Sequence, residues 1–220
     1  MRISHLFILL AASAMLTACD FLDEYNPNSV TVGNYYTSEE DIVASLNGVY
    51  TSLTQSYVAD NYHYFTDVRA NATVVTNSGA NSGIPYQFYN YTLTEENVYV
   101  YNRYSQLYKI ISRANTLFAH LGDVSYATPS ARDTYEAEAR FLRALSYYWL
   151  VTEWGDVPLV LKVLESTEEV RANNYRRPKA EIYQAIFDDL KYVTESPLLD
   201  VQPASYTHLR AHETSQDLVC

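Results

Sequence analysis

Cysteine is nearly absent from this chain of 220 residues: Cys19 and Cys220 are the only two, and nothing points to a structural disulfide. Basic residues are scarce as well, 15 Lys and Arg against 26 Asp and Glu, a formal net charge of −11. A nucleic-acid partner wants a basic patch, so this balance argues against one. Beyond residue 18 no apolar run approaches the ~20 residues that a membrane-spanning helix needs. The short signatures of chemistry are missing too: no Gly-x-Ser-x-Gly elbow, no phosphate loop, no Cys/His nucleophile pair. His208 and His212 stand four apart, a metal-gripping spacing on a helix, but no third ligand with a supporting glutamate pattern follows them. The carboxylate pairs Glu136/Glu138 and Asp188/Asp189 lie in helical stretches beside Arg or Lys, and are expected on solvated faces. No enzyme, metal or cofactor is expected.

What is present is apolar and aromatic. Hydrophobic residues make up 48% of the chain, enough for a core, so disorder is not the default. Tyrosines number 22 against 7 phenylalanines, and rings that carry hydroxyls suit half-wet surfaces as well as cores. Residues 1–18 have the plan of an export signal: Arg2, an apolar run from Leu6 to Met15, then Leu16-Thr17-Ala18 before Cys19. Leu-Thr-Ala-Cys resembles a bacterial lipobox, which makes Cys19 the expected lipid-attachment residue. Removing residues 1–18 takes away Arg2 alone among the charged groups, so the remainder is one unit more negative than −11. Residues 19–36 are polar and turn-rich, a tether.

Helical periodicity carries most of the rest. Ser38-Glu39-Glu40-Asp41 is a capping-box start, followed by Ile42, Leu46, Val49, Tyr50 and Leu53 at helical spacing. A second helix is expected over 96–121, with Val98, Tyr101, Leu107, Tyr108, Ile111, Ala114, Leu117, Phe118 and Leu121 as its apolar face. The third, 131–153, is the one the chain is organised around. From Phe141 to Val151 it is apolar or aromatic at all but Arg143 and Ser146, the pattern of a central post buried on several sides. Its opening turns carry Glu136 and Arg140 at i,i+4, a solvated ion pair on one face. Gly155 and Pro158 stop it. Residues 159–174 read as an extended, irregular connection. Pro178 then opens a fourth helix through Ile182, Tyr183, Ile186, Phe187, Leu190 and Val193.

Within these helices Glu138-Ala139-Arg140-Phe141-Leu142-Arg143-Ala144, Tyr147-Tyr148 and Trp154-Gly155-Asp156-Val157-Pro158-Leu159-Val160 together resemble the signature of SusD-like (RagB/SusD) lipoproteins. Tyr108-x-x-Ile111-x-x-Ala114-Asn115 and Arg177-Pro178 with Glu181-x-Tyr183-x-x-Ile186-x-x-Asp189-Leu190 resemble the same family, and Ala44 to Tyr50 does so more loosely. The resemblance implies an all-α fold of tetratricopeptide-like helices in a superhelix, over 37–203. It implies a nutrient-binding lipoprotein at the outer membrane, with an oligosaccharide as ligand and a TonB-dependent, SusC-like transporter as partner. Family members are much longer, so the chain is expected to be an N-terminal fragment. Residues 204–220 match nothing in the family and read as an unrelated, artefactual tail.

Residues 57–95 show no sustained helical period, and read as a long irregular loop between the first two helices. Tyr57, Tyr62, Tyr64, Phe65, Tyr86, Phe88, Tyr89 and Tyr91 lie there among Asn, Asp and Arg. Sugars present apolar C–H faces rimmed by hydroxyls, and such residues match both surfaces. Asp67, Arg69, Asn71, Tyr86, Tyr89, Asn90 and Tyr91 are the expected ligand-binding residues. Taken one at a time, tyrosines that merely roof the helices explain these positions equally well. A helical adaptor that binds only protein is the competing function.

Overall fold

The computed structural model describes residues 35–73, 75 and 83–196. Cys19, residues 1–18, most of the tether and the 204–220 tail lie outside the described residues. Among the described residues from Tyr36 onward the fold is all-α: α1 is Glu39–Leu53, α2 Gly83–Tyr89, α3 Val98–His120, α4 Ala131–Trp154, α5 Thr167–Asn173 and α6 Lys179–Glu195. A π-helical turn, Tyr64–Val68, lies between α1 and α2. Extended backbone among the described residues pairs only at one isolated antiparallel bridge, Val157 with Arg177. No helix among them is long and apolar enough to cross a membrane.

The caps explain the boundaries. Ser38 Oγ accepts from Asp41 N at 3.4 Å while Asp41 Oδ2 accepts from Ser38 N at 3.0 Å, the reciprocal pair that starts α1. Asn97 caps α3 by accepting from Tyr99 N and Val100 N. Its amide also donates to Ile84 O and to Gln87 Oε1, which fastens α2 to the start of α3. At the end of α4, Gly155 has φ +74°, a conformation that glycine adopts without strain.

Around α4 pack α1, α3 and α6, as its apolar run led us to expect. Ile42, Leu46 and Val49 of α1, Leu107, Ile111 and Leu117 of α3, Leu142, Tyr147 and Leu150 of α4, and Ile182 and Ile186 of α6 share one core. The faces within α4 are a different matter. Arg143 and Ser146, the two polar exceptions, are 5% and 0% exposed, whereas Phe141 and Tyr148 are 45% and 50% exposed. Val98 and Tyr101 of α3 and Phe187 of α6 are likewise exposed rather than on an inner face. Apolar character alone does not say which side of a helix has a neighbour. The solvated faces expected for Glu136, Arg140 and Asp189 are also corrected: Glu136 and Asp189 are buried and Arg140 bonds both.

Those charges form a lattice. Arg143 donates from Nε to Asp189 Oδ2 at 2.8 Å and from Nη2 to Asp189 Oδ1 at 2.7 Å, and its Nη1 reaches Asn115 Oδ1 at 2.7 Å and Leu161 O at 3.2 Å. Arg140 spans Asp189 and Glu136. Both guanidinium groups also lie over the Phe118 ring. The 156–162 strip that follows α4 is held by the same signature residues. Tyr108 Oη donates to Pro158 O, Tyr147 Oη to Val160 O, and Asn115 Nδ2 to Val160 O and Lys162 O. Asp156 Oδ1 accepts from Lys179 N and so caps α6. Apart from the Val157–Arg177 bridge the strip has no ladder partners among the described residues, and these side chains take their place.

Two stretches expected to be irregular are partly helical. Within 159–174, α5 starts where Ser166 Oγ accepts from Glu169 N at 3.1 Å; none of its residues is buried, so no apolar stripe announced it. Within 57–95 lie α2 and the π-helical turn.

Breaking a buried ion pair by removing one partner strands a charge, a loss of about 3–5 kcal/mol. Asp189→Asn is expected to lower unfolding stability on that scale in urea titration. Glu195→Gln, at the exposed Lys191–Glu195 pair with its 3.9 Å separation, should change stability by less than about 0.5 kcal/mol. Comparable losses would show that the lattice is no more than surface charge.

Candidate functional site

The segment after α1 turns back on itself through Val58 N and Ala59 N, both donating to Gln55 O, and reaches the π-helical turn. Its order comes from α3. Arg103, 0% exposed, donates from Nη1 to Tyr57 O at 3.1 Å and to Val58 O at 3.3 Å. The other side of the same guanidinium grips Glu153 twice, Nε to Oε2 and Nη2 to Oε1, both at 2.6 Å. The rings of Tyr62, Phe65 and Trp149 surround it at 4.9, 4.8 and 5.5 Å from their centroids. One buried cation thus ties a carboxylate of α4, two loop carbonyls and three rings. Sequence reading missed both Arg103 and Glu153. The available signal was an arginine in helical register with Leu107, Ile111 and Ala114.

Beyond this clamp the segment has a small core of its own, Phe65, Val68 and Phe88, with the Phe65 and Phe88 rings 4.9 Å apart and near perpendicular. That contact brings the two halves of the expected binding set together. Asp67 is exposed on the π-helical turn; Arg69 and Asn71 follow it, also exposed. On the other half, the Tyr86 and Tyr89 rings are 5.6 Å apart, Tyr86 exposed and Tyr89 half-buried. Asn90 and Tyr91 are exposed, Tyr91 at 68%. Tyr91 Oη donates to Arg69 O at 2.7 Å, the direct bond between the halves. Tyr89 is the member placed chiefly to pack, against Phe65, Val68 and Phe88.

Next to this shelf is a recess of about 190 Å³ between Phe65, Phe88, Val100 and Trp154. Arg69 and Glu153 give it polar edges. Its chemistry is apolar walls with a few fixed polar groups, the usual composition of a small-molecule site. Two other recesses flank the 156–164 strip, between α3 and α5, and are lined mainly by Tyr108, Val160, Leu164 and Val170.

Asn71 and Tyr91 are the two non-glycine residues at positive φ among the described residues, 57° and 56°. Asparagine tolerates that region, whereas an ordinary Cβ there costs about 1–2 kcal/mol. Asn71→Ala is therefore expected to cost about 1 kcal/mol in urea unfolding, and Asn71→Gly well under half of that. Equal losses would mean that the amide, not the backbone, holds the turn.

Comparison with known proteins bears on this arrangement. A family model described as "Starch-binding associating with outer membrane", of the SusD-like group, matches residues 20–213. A SusD-like protein P2 of Formosa agariphila is 27% identical over 195 residues, covering 88% of this chain and 37% of its own. A SusD-like protein of Bacteroides ovatus is 25% identical, covering 88% of this chain and 35% of its own. Among solved structures, a laminarin-binding SusD-like protein superposes with a TM-score of 0.63 at 27% identity, over 72% of this chain and 34% of that one. The Bacteroides fragilis protein NanU, at 22% identity and a TM-score of 0.61, shares the fold over 77% of this chain and 33% of its own. The chain spans little more than a third of the curated relatives it matches. The lattice around Arg143 is built from the residues that carry the signature, and a family model spans 20–213: the chain belongs to the SusD-like family.

Proposed function

We propose that the protein captures a glycan, an oligosaccharide, at the outer membrane and hands it to a TonB-dependent transporter. The observation that carries the glycan reading is the shelf of Tyr86 and Tyr91 beside Asp67, Arg69 and Asn71, next to an aromatic recess, in a chain whose family is described as starch-binding. An exposed ring offers an apolar face to sugar C–H groups, and the amide, carboxylate and guanidinium offer bonds to its hydroxyls. The site binds and does not react. Of the paired carboxylates, Glu136 and Asp189 are already engaged by Arg140 and Arg143.

Laminarin and soluble starch are the first ligands to titrate, by calorimetry against the full chain. Tyr86→Ala and Tyr91→Ala are each expected to weaken binding about tenfold, equivalent to ~1.4 kcal/mol. Wild-type affinity in both variants would remove the shelf from the site. Binding of neither glucan by the wild type would favour the adaptor that binds only protein.

Attachment and delivery rest on other features. Cys19 after Leu16-Thr17-Ala18 is the proposed lipid anchor. The proposed docking surface is helical, since Phe141 and Tyr148 of α4 and Phe187 of α6 are exposed aromatics of the kind protein interfaces favour. An acidic chain would be steered towards basic loops on a barrel, so the complex should weaken as salt rises. Wild-type chain is expected to take up labelled palmitate and to co-purify with a barrel from mild detergent. Cys19→Ala should take up no label and remain unattached. Equal labelling of both, or recovery of the wild type alone at low salt, would refute anchoring or delivery respectively.

A further inference from the structure

Arg103 has a role that neither the glycan reading nor the family signature assigns to it. The segment 57–69 carries half of the proposed ligand shelf, yet only Phe65 and Val68 of its π-helical turn are buried. The five-residue turn that holds Asp67 and ends at Arg69 is too short to fix its own placement on the helices. Beside the Phe65–Phe88 contact and the Tyr91 bond to Arg69 O, the contacts that hold the segment converge on one guanidinium: the carbonyls of Tyr57 and Val58, the rings of Tyr62 and Phe65, and from α4 the Glu153 carboxylate and the Trp149 ring. Glu153 and Phe65 also line the recess beside the shelf. Through them the same cation sets one wall and one polar edge of that recess.

We infer that Arg103 is a positioning residue for the ligand face: it holds 57–69 and Glu153 in the geometry that binding needs, without itself meeting the ligand. The ligand half of this inference rests on the glycan reading above. Lysine cannot take the place of arginine here. It has three donors on a point charge and no plane to lie against rings, whereas arginine satisfies two carboxylate oxygens and two carbonyls at once. The charge would survive in Arg103→Lys, and the alignment would not.

Amide hydrogen exchange and glucan titration on the full chain test this together, with Arg143→Lys as the comparison because Arg143 is a buried arginine of the central lattice. In Arg103→Lys, exchange over 57–69 is expected to rise about tenfold or more while the inner turns of α3, α4 and α6 stay within about twofold of wild type. Binding of laminarin or soluble starch should weaken about tenfold. Arg143→Lys should lower the melting temperature and leave exchange over 57–69 unchanged relative to α3. Should Arg103→Lys not fold, Tyr62→Leu removes one partly exposed ring of the cage, keeps the ion pair and is read in the same way. Unchanged exchange over 57–69 overturns the inference. So does faster exchange with wild-type glucan affinity, since the segment would then be ordered by Arg103 for no ligand. If the wild type binds neither glucan, the glycan reading has failed instead, and the exchange comparison alone decides whether Arg103 orders the segment.

Discussion

A guanidinium placed inside a protein presents five N–H groups that need acceptors, and Arg143 makes four bonds to three different parts of the chain. Asp189 comes from α6, Asn115 from α3 and the Leu161 carbonyl from the strip after α4. The geometry therefore fixes the mutual placement of α3, α4 and α6 more tightly than apolar packing does, because hydrophobic contact is non-directional and hydrogen bonds are not. The family signature is best understood on this basis. Its arginines, asparagine and aspartate are adjacent in space while lying far apart along the chain, and they hold a scaffold together.

The same device recurs at the end of α4. Arg103 and Glu153 repeat the pairing of a buried arginine with a carboxylate from a neighbouring helix, and again the spare donors go to the carbonyls of an irregular segment. In the first case the segment is the 156–162 strip, in the second the stretch after α1. Irregular backbone is tolerated inside a helical protein only where something else satisfies it. Two arginines do that here, one at the centre of the bundle and one beneath the segment that follows α1.

What could be read from the sequence follows from this division. Ser38 with Asp41, and Gly155 with Pro158, act on their immediate neighbours, so both helix boundaries were legible. The direction in which Phe141, Tyr148, Tyr101 and Phe187 point was not, because exposure depends on which neighbour is absent, and no local pattern records that. The fate of Arg143 was illegible for the related reason that its partners lie 28 and 46 residues away. Helix α5 did leave a trace, Ser166 three residues before Glu169, but seven residues with no buried face gave the period nothing to repeat. The π-helical turn left none. It is ordered by Arg103, which follows it at a distance that local propensity does not sense.

The excess of tyrosine over phenylalanine now has a physical reading beyond half-wet surfaces. Tyr147 buries its ring, Tyr108 and Tyr126 pack theirs half-buried against the core, and each spends the hydroxyl on a backbone carbonyl, of Val160, Pro158 and Leu121 respectively. Tyr50 and Tyr135 reach across from one helix to a carboxylate of another, Glu138 and Glu39. The bond to Glu39 helps to push the Tyr135 phenol up to about 12, and burial pushes Tyr108 and Tyr147 upward as well. Phenylalanine could fill these volumes but could not satisfy the carbonyls of a bundle rich in irregular connections. A tyrosine used in this way has both its ring and its hydroxyl committed to the fold. Counting tyrosines therefore says little about ligand capacity, whereas the exposure of the ring face says much more. By that measure Tyr91 and Tyr101 lead, each 68% exposed, and Tyr91 is the one on the shelf: its hydroxyl ties the two halves and its backbone is held at positive φ.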